Sequence, residues 1–271
     1  MQGYRIRSSL CEALGGPIQT GPLFFHSGMA NGLESDMNDT PQFTFSSEEF
    51  SGTVRLFPLP NLVLFPHVVQ PLHVFEPRYC DLLSESLEDD KLIGMATLAA
   101  GWEDDYDGKP PVSPNACLGR VIVHRGLEDG SHNILLAGVS RIELVHELAS
   151  AKSFRSAEAV LREDRCSEDD APRVGELLEE LRQVMAHLLP FVPDARQQLD
   201  ELLDREIPLG TLTDLIAYLL DVDLADKLIL LGEDNVVCRA EILTKRLASL
   251  SSDTRTSGQG ELPFPPSPSR N

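Results

Sequence analysis

The hydrophobic pattern of this chain changes period once, and that change constrains the fold more than any other feature. From Val54 to about Arg162 the apolar residues come in short runs separated by turn residues. From Ala171 to Leu250 they recur every three or four positions. The first pattern suits strands and the second suits helices, because side chains repeat every two residues on a strand and every 3.6 on a helix. A chain written in this way is α+β, with a strand-rich part followed by packed helices.

Within the first part, Val54–Phe57 reads as a strand cut by Pro58 and Pro60. Leu62–Phe65 and Val68–Phe75 are extended apolar pieces punctuated by Pro66 and Pro71. Proline gives no donor to a ladder, so this stretch has to kink or run along a sheet edge. Pro77 suits the first turn of a helix that places Tyr79, Leu82, Leu83 and Leu87 on one face. Leu92–Leu98 is a further strand. Leu118–Leu127 and Asn133–Leu136 form a hairpin through Glu128-Asp129-Gly130-Ser131, with Gly130 placed for positive φ. Ile142–Leu148 and Phe154–Leu161 complete at least six β segments. The natural closure for such a set is a small mixed barrel, which removes exposed strand edges.

In the second part Leu177, Leu181, Val184, Met185 and Leu188 make one stripe. Helices over Asp194–Asp204, Leu212–Leu220, Leu224–Leu231 and Val236–Leu250 follow, with Pro193 and Pro208 in the breaks and Gly232 placed as a stop. The last helix repeats Val236, Ala240, Leu243, Leu247 and Leu250, the seam of a bundle. The organisation expected is an arm over 1–49, a β subdomain over 50–165, a helical subdomain over 166–250 and a loose tail over 251–271. The arm has no steady period, and Met37 is a candidate for the natural start. The tail is rich in Ser, Pro and Gly.

The chain carries 43 acidic against 23 basic residues, a formal charge of -20. Such a surface repels phosphate backbones and anionic lipid, and its five lysines are scattered, so neither nucleic acid nor membrane is an expected partner. The cysteines Cys11, Cys80, Cys117, Cys166 and Cys238 are odd in number and contain no C-x-x-C pair. They read as reduced thiols of a cytoplasmic protein.

Recognisable chemistry is missing from the sequence. Gly108-Lys109 is followed by Pro110 and lacks the earlier glycine of a phosphate loop. No dinucleotide fingerprint, nucleophile elbow or H-E-x-x-H zinc motif occurs. His67 and His73 are too few to hold zinc. The acidic runs Glu88-Asp89-Asp90 and Glu103-Asp104-Asp105 with Asp107 lack the register of a calcium loop and read as solvated. No catalytic residue, cofactor or metal is therefore expected.

Leu56-Phe57-Pro58-Leu59-Pro60-Asn61-Leu62-Val63-Leu64-Phe65-Pro66 resembles the opening strand of the Lon N-terminal domain, whose hallmark is P-L-x-N-x-V-L-F-P. Pro71-Leu72-His73-Val74-Phe75-Glu76-Pro77-Arg78-Tyr79 is similar to that family's P-L-x-I-F-E-x-R-Y. Leu92-Ile93-Gly94, Leu118-Gly119-Arg120-Val121 and Asp129-Gly130 through Gly138-Val139-Ser140-Arg141 look like further family elements. So do Leu212-Thr213-Asp214-Leu215-Ile216-Ala217 and the final helix with Arg239. The resemblance covers about Val54 to Leu250 and departs at His67, where the family usually has Gly. It implies a PUA-like pseudo-barrel followed by a helical bundle, and a substrate-recognition role. Whole Lon enzymes continue into an ATPase and a Ser-Lys peptidase, whose motifs this sequence lacks.

The function expected is a non-catalytic module that binds polypeptide segments or a partner protein, such as an adaptor in proteolysis. Other readings are a regulatory or assembly protein acting through its helical half, and an unrecognised enzyme; an ATP-dependent peptidase component would describe kinship rather than activity. Two sets of residues stand out. Phe65, Val68, Val69 and Leu72 flank the proline-broken segment and either line a peptide-binding edge or point into the barrel. Glu76 and Arg141 are charges in apolar surroundings, expected to form a buried ion pair unless Arg141 captures a peptide carboxylate.

Overall fold

Alternate residues along the central strands serve two different cores, and this divides the molecule. In the computed structural model, which describes residues 45–105, 108–188, 207–219 and 222–256, six strands and five helices follow one another. They are β1 (Thr53–Leu59), β2 (Val69–Val74), α1 (Pro77–Glu88), β3 (Leu92–Thr97), β4 (Asn115–Gly126), β5 (His132–Leu148) and β6 (Arg155–Arg162). The helical half contains α2 (Ala171–Leu188), α3 (Leu209–Leu219), α4 (Leu224–Gly232) and α5 (Val236–Thr256). The predicted helix over 194–204 lies outside the described residues.

The sheet is mixed, in the order β2-β5-β4-β3-β1-β6, and β5 also pairs with β6. Only β1 and β3 run parallel. The pairings β5-β4-β3-β1-β6 thus return to β5. The length of β5 makes this possible: His132–Ala137 pairs with β2, and Arg141–Leu148 pairs with β6. The sequence reads as two strands here because the Gly138-Val139-Ser140 stretch interrupts the apolar alternation. The backbone instead continues through it, with an irregular register against β4.

Leu56, Leu92, Ala116 and Leu118 belong to one apolar cluster, completed by Val54, Ile142 and the small side chains of Ala157 and Ala159. Their chain neighbours Phe57, Ile93 and Cys117 belong to a second, larger cluster together with Leu136. Leu177, Leu181, Leu212, Ile216, Leu243 and Leu247 of the helices join that larger cluster. The helical half is therefore packed onto the sheet through a shared core. β3 is buried at every position because both of its faces are covered.

Pro58 does not cut β1 as expected. Its ladder to β6 ends at Leu56, while Leu59 O accepts from Leu98 N on the β3 side. Alternation then aims the nitrogen-side edge of Pro58 away from β3, where no strand needs its donor. Its carbonyl on that side accepts from the Tyr79 hydroxyl at 3.1 Å. Val63–Phe65 is buried and Leu62 partly so, but Leu62–Phe65 forms no strand.

Described elements lie on both sides of the 50–250 stretch. Ser46 and Glu49 form a capping box on the short turn Ser47–Glu49, Glu49 pairs with Arg120, and Phe45 and Phe50 pack on the cluster inside the ring of strands. Helix α5 runs to Thr256, six residues beyond the predicted end at Leu250.

Candidate functional site

The four residues expected along a peptide-binding edge do not line one. Phe65, Val68 and Leu72 are buried in the main core. Val69 faces the other way, at 7% exposure, against Leu135 and Ala137 of β5. β2 does end the sheet, as the prolines predict. Gly138 N donates to Val68 O, so the register places the missing donor of Pro71 on the outer edge. The Pro71 carbonyl, on that same edge, accepts from Gln70 Nε2 at 2.9 Å, and Gln70 Oε1 accepts from the Tyr218 hydroxyl of α3 at 2.7 Å. An added strand would find neither donor nor free acceptor at the centre of this edge.

The expected ion pair is also corrected. Glu76 precedes α1 and pairs with its near neighbour Arg78 at 2.9 Å. Arg141 points to the helical half, where it meets Asp214 of α3 and lies 3.1 Å from Asp164. Arg239 of α5 completes the group, 2.7 Å from Asp164 and 3.4 Å from Asp214. Arg141, Asp214 and Arg239 are 3%, 1% and 0% exposed at their side chains. Two cations against two anions balance the charge, which burial at this depth requires. Burial pushes the Asp214 carboxyl above its usual range, against the opposing pull of Arg141 and Arg239. Its Oδ2 has no hydrogen-bond partner among the described residues, so proximity of charge contributes to holding it there.

The sequence carried a signal for Asp214 that was missed. A lone carboxylate between Leu212 and Leu215 on an apolar helix face needs a buried counter-charge. Nothing local marks Asp164, which sits just after β6 and is brought to the cluster by tertiary packing.

Gly138 and His67 explain how Arg141 is aimed. A Cβ on Gly138 would lie 2.1 Å from the Phe65 carbonyl oxygen, so only glycine lets β5 pass beneath the turn before β2. His67 N donates to Gly138 O at 2.9 Å and locks that crossing. His67 itself holds φ of 65°, the left-handed region that favours glycine. The turn thus keeps the shape expected of a glycine although a histidine occupies it. His73 lies apart on β2, its Nδ1 2.9 Å from Asn133 Oδ1.

Among the described residues no group of three or more His, Cys, Asp or Glu could hold a metal ion. Arg55 sits against the run 88–90, 2.9 Å from Asp90 and 2.9 Å from Glu85 on α1. The acidic side chains at 104, 105 and 107 lie outside the described residues. Cys80, Cys117, Cys166 and Cys238 are free thiols, and burial pushes that of Cys117 far up. No helix among the described residues is long and apolar enough to cross a membrane.

A cavity of about 310 Å³ opens between the start of α1, the end of β1 and the segments that precede β4 and β6. Its walls include Arg78, Lys109, Lys152 and Arg155. Tyr79, Leu98 and Phe154 supply apolar surface. Arg155 is fixed by Glu147 at 2.9 Å and by the Pro110 carbonyl at 2.8 Å. Lys152 meets Glu85 at 2.6 Å and stands 5.3 Å from the Phe154 ring centre. The Arg78 guanidinium lies 4.8 Å from the centre of the Tyr79 ring. Sequence reasoning missed this cavity, because its four cations come from three separate segments.

Solved structures share this architecture. A Lon N-terminal domain protein from Xanthomonas campestris aligns with a TM-score of 0.51 at 22% identity, over 71% of this chain and 97% of that one. The N-terminal domain of a Mycobacterium avium complex Lon protease aligns at 0.55 and 14% identity, over 72% of this chain and 98% of its own. In sequence the chain is 25% identical to Lon protease 2 of Myxococcus xanthus over 76% of its length and 25% of that protein's. It is 28% identical to Lon protease 1 of Bdellovibrio bacteriovorus over 74% of its length and 25% of that protein's. The chain thus spans about a quarter of the length of these curated relatives. Residues 53–249, which hold the whole sheet and the buried Arg141–Asp214–Arg239 cluster, match the substrate-binding domain of ATP-dependent protease La (LON), and the chain belongs to that family.

Proposed function

We propose that this protein is a non-catalytic recognition module that binds exposed polypeptide segments, as an adaptor in proteolysis or protein quality control. The observation that carries this reading is the family match over 53–249, which spans both the strand-rich and the helical halves. The ring of strand pairings supports a PUA-like pseudo-barrel as the framework. An acidic surface supports a polypeptide rather than a nucleic acid as the partner, since phosphates are repelled. The free thiols of Cys80, Cys117, Cys166 and Cys238 support a cytoplasmic setting.

The reading is tested by titrating the purified protein with a reduced, alkylated unfolded protein while ATP hydrolysis and casein cleavage are followed in parallel. Affinities of about 1–100 μM are expected, typical of small interfaces that must order a flexible chain. Neither hydrolysis nor cleavage should exceed background. Turnover that survives repurification, or no association at about 1 mM unfolded chain, would remove the reading.

A further inference from the structure

The cavity beside α1 inverts the charge of the chain around it. Acids outnumber bases 43 to 23 in the whole sequence, yet the described residues of the cavity walls include four cations and no carboxylate. The carboxylates that pair with three of those cations, Glu76, Glu85 and Glu147, are not part of the lining. Those salt bridges fix three of the cations and use part of their N–H donors, a lysine having three and an arginine five. Lys109 is exposed and forms no ion pair with a described residue. Beside these donors stand the apolar residues Leu98 and Phe154 and the ring of Tyr79. Positive donors next to an apolar wall suit a ligand that carries a carboxylate and an apolar group on neighbouring atoms.

We propose that this cavity binds the C-terminal residue of a polypeptide, its carboxylate against Lys109, Arg78 and Lys152 and its apolar side chain against Phe154 and Leu98. The inference rests on the polypeptide-binding reading above and names the part of the polypeptide that is read. Size favours a chain end: about 310 Å³ is at the small end of ligand cavities and has room for about one residue. A terminal residue brings both groups on one α-carbon, and no chain has to leave on the far side. Charge points the same way, because a long acidic stretch would be repelled by the surrounding surface while a single carboxylate would not.

The test uses three labelled ten-residue peptides with the full chain in fluorescence anisotropy. One ends in leucine with a free carboxylate, the second is its C-terminal amide, and the third is the amide with an internal glutamate. The free acid should bind about tenfold more tightly than either amide, the effect of one charge-assisted contact. Lys109→Ala should bring the acid down to the level of the amide with an unchanged melting temperature, since Lys109 is exposed. Lys109→Glu should weaken the acid further, and the preference should shrink in high salt. Equal binding of acid and amide overturns the cavity assignment while the polypeptide-binding reading stands. So does a preference that persists in Lys109→Glu. Equal binding of the internal-glutamate peptide and the free acid overturns the choice of a chain end. If neither peptides nor an unfolded protein associate, both readings fail together.

Discussion

Arg141 of β5 and Asp214 of α3 meet where the two halves of the molecule join, with 3% and 1% of their side chains exposed. Neither charge can be lost singly without cost, because the one left behind stays buried. With Asp164 and Arg239 they tie a strand, the segment after β6 and two helices together.

Arg141→Ala should therefore destabilise the fold by roughly 3–5 kcal/mol in urea unfolding, the usual cost of breaking a buried pair from one side. Glu76→Ala should cost under about 1 kcal/mol, because Glu76 pairs locally with Arg78 near the surface. A double-mutant cycle should show strong coupling of Arg141 to Asp214 and none to Glu76. Coupling between Arg141 and Glu76 would mean that the pairing is different in solution.

Gly138→Ala should destabilise by about 1–3 kcal/mol or more, since its new methyl would lie 2.1 Å from the Phe65 carbonyl oxygen and the crossing must open. His67→Gly should have the opposite sign and stabilise by about 1 kcal/mol, as it relieves a left-handed backbone conformation. Matched melting curves of the two variants and the parent decide this. If both variants destabilise alike, His67 makes compensating contacts.

Val69→Asp should unfold the protein or lower its melting point markedly, because the carboxylate would be buried against Leu135 and Ala137. Circular dichroism is the readout. A folded variant of parental stability that has lost peptide binding would restore the β2 edge as a recognition surface.

Acid should weaken the fold partly through Glu85. The ammonium of Lys152, aided by Arg55, holds its carboxyl below the ordinary 4.5. A depressed carboxylate stabilises the folded state above its unfolded value and stops doing so as pH falls through its folded one. The melting temperature should thus drop as pH falls from about 5 to 3, and less steeply in Glu85→Gln. Parallel curves for parent and variant would show that Glu85 does not contribute.

The sequence by itself determined the α+β class and the order of strands before helices, and it marked β2 as a stretch that must kink or run along an edge. These follow from local rules: alternation of two or 3.6, proline at an edge, glycine in a turn. It also singled out Arg141 as a charge in apolar surroundings. What it could not determine was the partner. A buried charge states that a counter-charge exists but not where in the chain it lies, and Asp164, Asp214 and Arg239 are 23, 73 and 98 residues away. Only packing of the helices onto the sheet brings them together. The same limit applied to β2, where Val69, Leu72 and Val74 are buried while His73 is exposed, because packing and not alternation decides which positions are covered. It applied again to the cavity, where the fold gathers four cations from three distant segments, a concentration no local pattern in an acidic sequence could reveal.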